Sequence, residues 1–114
     1  MHELGVVFSV IKQIEGIAAE NEVRKVSRVV LELGEVSTVI PAYLADCWKW
    51  AVKRTQILPE AELEIRTIEA VTYCEDCGKE YPTVRHGKLC PYCGSEKTYL
   101  LRGNEFIIKE IEVE

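Results

Sequence analysis

The chain has 114 residues, enough for one ordinary hydrophobic core or a small one with a metal-stapled appendage, but not for two full cores. An apolar fraction of 47% with 29% charged residues excludes a disordered or fibrous chain, and a net charge of -5 argues against a protein built to neutralise phosphate. No apolar run approaches the roughly 20 residues of a membrane span and no basic, apolar leader opens the chain, so the sequence predicts a cytoplasmic protein with no membrane or nucleic-acid partner.

From residue 3 to about 20, Leu4, Val7, Phe8, Ile11, Ile14 and Ala18 recur at steps of three and four, the period of an amphipathic helix. Residues 24–33 turn β-branched (Val26, Val29, Val30) and stop at Gly34, which predicts a buried strand ended by a turn. Pro41 is tolerated in a first helical turn, and Leu44, Cys47, Trp48, Ala51 and Val52 then share one face, predicting a second helix to about Thr55. Cys47 and Trp48 read as core; Trp50 falls on another face and marks a candidate partner surface.

After Pro59, Leu63 and Ile65 alternate with Glu62, Glu64 and Arg66, and the apolar phase slips at Ile68, Ala70 and Val71. This predicts one long strand with a bulge or bend near Thr67. Residues 73–98 hold too few aliphatic side chains for a core of their own, whereas Phe106 to Val113 is again β-branched and apolar. The last strand is therefore expected in the main sheet beside the one that left it, with the cysteine segment inserted between the two.

Four of the five cysteines form two C-x-x-C pairs, Cys74/Cys77 before Gly78 and Cys90/Cys93 before Gly94. In such a pair both thiolates of a tight turn can face one ion, and the glycine supplies a backbone position free of Cβ. Two facing knuckles make a tetrahedral four-sulfur site that suits zinc or a rubredoxin-type iron. Having no open position, it predicts a structural role and not a catalytic one. Zinc ribbons also occur in nucleic-acid machinery, but here Lys79, Arg85, His86 and Lys88 are interrupted by Glu80 and accompanied by Glu75 and Asp76, so no basic stripe forms.

Met1-His2-Glu3 is a chelator when its terminus is free. The α-amine of Met1, the deprotonated amide of His2 and the His2 imidazole close a five- and a six-membered ring around one ion, a tetragonal nitrogen set that suits Ni(II) or Cu(II). An amide at Glu3, water or a donor from elsewhere completes the square. The plainer reading makes His2 a solvated residue ahead of a helix and Glu3 an acid at its positive end.

Met1-His2-Glu3-Leu4, the segment Leu31-Glu32-Leu33-Gly34-Glu35-Val36-Ser37 leading to Pro41, and the two knuckles together resemble the HypA/HybF family of hydrogenase maturation nickel chaperones. The resemblance implies an α+β fold: a nickel domain (residues 1–70 and 104–114) with two helices and a small mixed sheet of about three strands, and an inserted zinc-ribbon or rubredoxin-like four-cysteine domain (residues 71–103). It implies Met1, His2 and Glu3 at nickel and Cys74, Cys77, Cys90 and Cys93 at zinc. It also implies the GTPase HypB and the [NiFe]-hydrogenase large subunit precursor as partners. Gly5 departs from the small side chain, often serine, expected there, and His86 is the one further histidine that could add a nickel donor. With two histidines and no nucleophile arrangement or phosphate-binding glycine loop, an enzyme is not predicted.

Overall fold

A computed structural model describes residues 3–114. The elements follow as α1 (Glu3–Glu20), β1 (Val26–Gly34), α2 (Pro41–Val52), β2 (Glu62–Ile68), β3 (Val71–Cys74), β4 (Glu80–Pro82), the short α3 (Thr83–His86), β5 (Thr98–Arg102) and β6 (Phe106–Val113). The fold is α+β, as the sequence predicts. The chain divides into two compact units: one holds the chain through Leu31, Thr38–Arg66 and Ile107–Glu114, the other Glu32–Ser37 and Thr67–Phe106.

In the first unit α1 packs on α2. Helix α1 buries Val7, Val10, Ile11, Ile14 and Ala18, while Leu4 and Phe8 stay largely exposed. The apolar face is thus rotated from the one the spacing predicts: Val10 enters and Phe8, about 100° round from Val7, leaves. Phe8 instead sets its ring edge-on to exposed Trp50, whose other contact is the Arg54 guanidinium 3.5 Å from the ring centroid. Gly5 and Gly16 have open space where a Cβ would stand, so neither is demanded by sterics, and each weakens the helix by up to ~1 kcal/mol relative to alanine. Packing must therefore hold α1 in place. The helix ends where Glu22 takes a left-handed φ of 56° and Val23 N–H closes on Ala18 O at 2.9 Å, a Schellman-type stop.

Helix α2 buries Leu44, Trp48, Ala51 and Val52, and the Trp48 indole N–H donates to Ala61 O at 2.9 Å. Cys47, expected in the core, is only half-buried. The first sheet has the order β2-β1-β6. The last strand therefore lies beside β1 and not beside β2, correcting the expected neighbour. The burial pattern gives the reason: β1 carries Val26, Val29, Val30, Leu31 and Leu33 fully buried, the pattern of a central strand, while β2 and β6 are half-exposed edges. Charged residues mark those edges: Arg28 on β1 pairs with both Glu64 and Glu112, and Arg66 joins Glu64.

The single bent strand predicted across residues 62–71 is two strands in two sheets, β2 and β3, broken at Glu69 and Ala70. In the second unit Ala70 is fully buried, its N–H donates to the Glu35 carboxylate at 3.0 Å, and a Cβ on Gly103 would overlap it. Gly103 sits at φ 117°, and a Cβ on Gly34 would in turn strike the Gly103 carbonyl. Gly34 thus serves close backbone approach as well as the predicted turn, which Ser37 N–H closes on Gly34 O at 3.0 Å.

Candidate metal centre

The second sheet, order β4-β3-β5, is antiparallel throughout and carries the first knuckle at the end of β3. The two knuckles repeat one backbone pattern. Cys74 N–H donates to Lys79 O and Gly78 N–H to Cys74 O; sixteen residues on, Cys90 N–H donates to Ser95 O and Gly94 N–H to Cys90 O, all between 2.9 and 3.0 Å. Gly78 and Gly94 take φ 71° and 73°, the left-handed conformation that closes each loop. Glu75 N–H to Lys97 O at 3.0 Å and the Ser95 hydroxyl on Asp76 add ties from one knuckle segment to the other.

The four sulfurs meet within 4.8 Å of one another, the one such cluster of potential metal ligands among the described residues. Cys74 and Cys93 stand 3.6 Å apart, as do Cys77 and Cys90. These spacings fit a tetrahedron around zinc, whose edge is about 3.8 Å for bonds of ~2.3 Å, and are far too long for a disulfide bond of ~2.05 Å. The cluster buries Cys74 and Cys90 against Tyr81, with Cys77 partly buried beside them and Cys93 exposed. Tyr81 is itself fixed by its hydroxyl donating to Gly87 O at 2.8 Å.

The electrostatics call for a cation. Burial pushes the Cys90 thiol up, but the amides of Tyr92 and Cys93 and hydrogen bonds from Cys77 and Cys93 outweigh it and bring the group down to about 7. At Cys93 the Ser95 amide lowers the value, yet burial and the thiols of Cys74, Cys90 and Cys77 drive it up to about 12. Cys77 is raised too: the Lys79 amide favours its thiolate, but burial and the neighbours Cys90 and Cys74 oppose it. The Cys90 thiolate forms readily while Cys77 and Cys93 are held towards the thiol, and a cation bound among the sulfurs favours their thiolate forms. The donor chemistry and spacing fit one structural zinc.

Sequence spacing thus brings Cys74, Cys77, Cys90 and Cys93 together. His86 stands apart from them, exposed at the end of α3, its ring edge-on to Tyr81 with centroids 5.8 Å apart. Met1 and His2 lie outside the described residues. Glu3 opens α1, and its carboxylate accepts a hydrogen bond from Ile40 N–H at 3.2 Å. That link escaped the sequence reading because nothing in the local pattern pairs residues 37 positions apart.

A profile of the family described as hydrogenase/urease nickel incorporation, metallochaperone, HypA matches residues 1–113. The hydrogenase maturation factor HypA of Chlorobium phaeobacteroides (strain BS1) is 36% identical over 114 residues that span the whole of both chains. That of Aquifex aeolicus (strain VF5) is 34% identical over all of this chain and 98% of its own. The solution structure of the Ni metallochaperone HypA from Helicobacter pylori superposes with a TM-score of 0.73 and 27% identity, covering 99% of this chain and 97% of that one.

Proposed function

Because this chain belongs to the HypA family of hydrogenase/urease nickel-incorporation metallochaperones, which are carriers and not enzymes, we propose that it takes Ni(II) at Met1, His2 and Glu3 and delivers it during [NiFe]-hydrogenase maturation. The observation that carries this reading is the family match over residues 1–113, a span that includes both the terminal Met1-His2-Glu3 and the paired knuckles. Residues 1–70 and 104–114 form the nickel domain, and residues 71–103 form an insertion held by a structural zinc on Cys74, Cys77, Cys90 and Cys93. HypB and the hydrogenase large subunit precursor are the partners, met in the cytoplasm.

Two metals are kept apart by donor type. Thiolates retain zinc in a closed site, while the amine, amide and imidazole nitrogens suit nickel in a square plane. Nickel binding requires proton loss from the α-amine and the His2 amide and a neutral imidazole, so affinity falls as pH drops through about 8 to 6. That dependence lets the cargo be released. In a nickel titration with metal analysis, His2→Ala is expected to remove most nickel affinity while keeping one zinc per chain. Cys74→Ser with Cys90→Ser is expected to lose zinc. Parental nickel affinity in His2→Ala would move the nickel site elsewhere, with His86 next in line.

A further inference from the structure

Strand β6 ends the first sheet: in the order β2-β1-β6 its neighbour is β1, and no strand pairs along its other side among the described residues. A free edge of this kind offers a row of main-chain donors and acceptors to an extended segment. Beside it lies an apolar groove of about 280 Å³, walled by Ile14, Ile17 and Ala18 of α1 and by Ile111 and Val113 of β6, with Val26 of β1 between them. Ile17 and Val113, 45% and 51% exposed, form its open lips. The volume lies below the roughly 300–1,000 Å³ of small-molecule sites, so the groove has room for side chains of a strand and not for a cofactor. All of these residues belong to the first unit.

Charge says what the groove and edge would accept. Side chains alternate across a strand, so Glu110 and Glu112 stand on the opposite face of β6 from Ile111 and Val113. Arg28 holds Glu112 there, whereas Glu110 makes no ion pair among the described residues. The stretches 20–25 and 109–114 together carry Glu20, Glu22, Glu110, Glu112 and Glu114 against Arg24, Lys25 and Lys109, and Lys25 is already paired with Glu60. We propose that the β6 edge and its groove form a docking site for an extended segment of a partner protein in which basic and apolar residues alternate. Its main chain pairs with β6, its apolar side chains enter the groove, and its lysines or arginines meet Glu110 and Glu112 on the other face. A second copy of this chain fits worse. Its own β6, continuing the sheet, would bring Glu110 and Glu112 to that same face, like charge against like.

The test titrates the zinc-loaded full chain with a capped peptide of about eight residues, a strand's length, in which lysine and valine alternate. Two control peptides replace valine by serine or lysine by glutamate. Calorimetry reads affinity, and NMR reads which amides shift and exchange more slowly. The lysine–valine peptide should bind, with changes confined to β6 and the C-terminal half of α1, and should weaken as salt rises. Each control should bind at least about tenfold more weakly. Ile17→Lys alters a half-exposed position on α1 and should cost about tenfold; Glu110→Lys should cost about fivefold. Both variants should keep the parental amide spectrum elsewhere, and the control peptides on the parent decide the matter if a variant fails to fold. The proposal is overturned if the lysine–valine peptide does not bind, or if its shifts fall away from β6. Equal affinity for the serine control, which is binding by charge alone, also overturns it, as does equal affinity for the glutamate control, which is a groove without charge selection. Sedimentation of the free chain supplies the last outcome: a dimer that Ile17→Lys dissociates gives the groove to a second copy and overturns the proposal as well.

Discussion

In the helical unit α1 packs on α2, and Val7, Ile14, Leu44 and Trp48 bury large apolar side chains, each worth roughly 1.5–3 kcal/mol, so hydrophobic burial is a main source of order there. Around the knuckles the buried cluster consists of Tyr81 with Cys74 and Cys90, three side chains of which two are thiols. That is too little apolar surface to offset chain entropy over residues 71–103, and the proposed structural zinc is what would supply the difference. Two stretches of one short chain thus reach order by different routes, and each route has its own point of failure.

Stripping the metal separates them most sharply. Structural zinc contributes an apparent ~10–16 kcal/mol in small thiolate sites. A strong chelator should therefore abolish amide protection across residues 71–103 while protection in α1 and α2 persists, as read by hydrogen exchange. Uniform loss of protection would mean that the two regions do not differ as described. The converse perturbation is Trp48→Ala. It removes a side chain only 2% exposed and leaves the Ala61 carbonyl without its donor, so denaturant unfolding of the helical unit should lose roughly 3–5 kcal/mol, with zinc content still one per chain.

Glycines sharpen the contrast at smaller scale. Gly103→Ala places a Cβ on Ala70 at φ 117° and should destabilise the second unit by at least ~1–3 kcal/mol. Gly16→Ala meets open space on α1 and should stabilise the first by about 0.4–1 kcal/mol. Thermal melts of the two variants should move in opposite directions. The smallest effect concerns the exposed ion pairs. Lys25 lowers Glu60, and Arg66 with Arg28 lowers Glu64, each from an ordinary 4.5. Between the folded and unfolded values the unfolded chain binds more protons, so this contribution is fully present above about 4.5 and is lost as pH falls through the depressed folded values. Acid titration of Arg28→Ala should accordingly show a shallower loss of stability below pH 4.5 than the parent, an effect that salt diminishes.

Much of this was legible in the sequence. C-x-x-C-G spacing specifies the thiol cluster because the chemistry is local to each turn, and the period of α1 and α2 specifies two helices because their apolar stripes must be buried somewhere. What escaped depended on partners distant in the chain. Val10 and Phe8 exchanged roles through the way α1 meets α2 and Trp50. The phase slip at Ala70 looked like a bend because Gly103, whose missing Cβ makes room for Ala70, lies far along the chain. β6 chose β1 over β2 because a strand with both faces buried takes the centre of a sheet. Glu3 showed an acid beside a chelating histidine, but not the Ile40 amide that holds it.

Nickel and zinc are proposed to occupy separate sites, with nickel anchored by the α-amine itself. The most direct measurement adds a few residues before Met1 and repeats the nickel titration, nickel absorption spectrum and zinc analysis. Every original side chain remains, but the amine becomes a neutral amide and the new amine lies out of chelating reach. Nickel affinity should collapse or its square-planar absorption change, with one zinc still bound. If the extended protein binds nickel as tightly and with the same spectrum as the native one, the amine-anchored site is wrong.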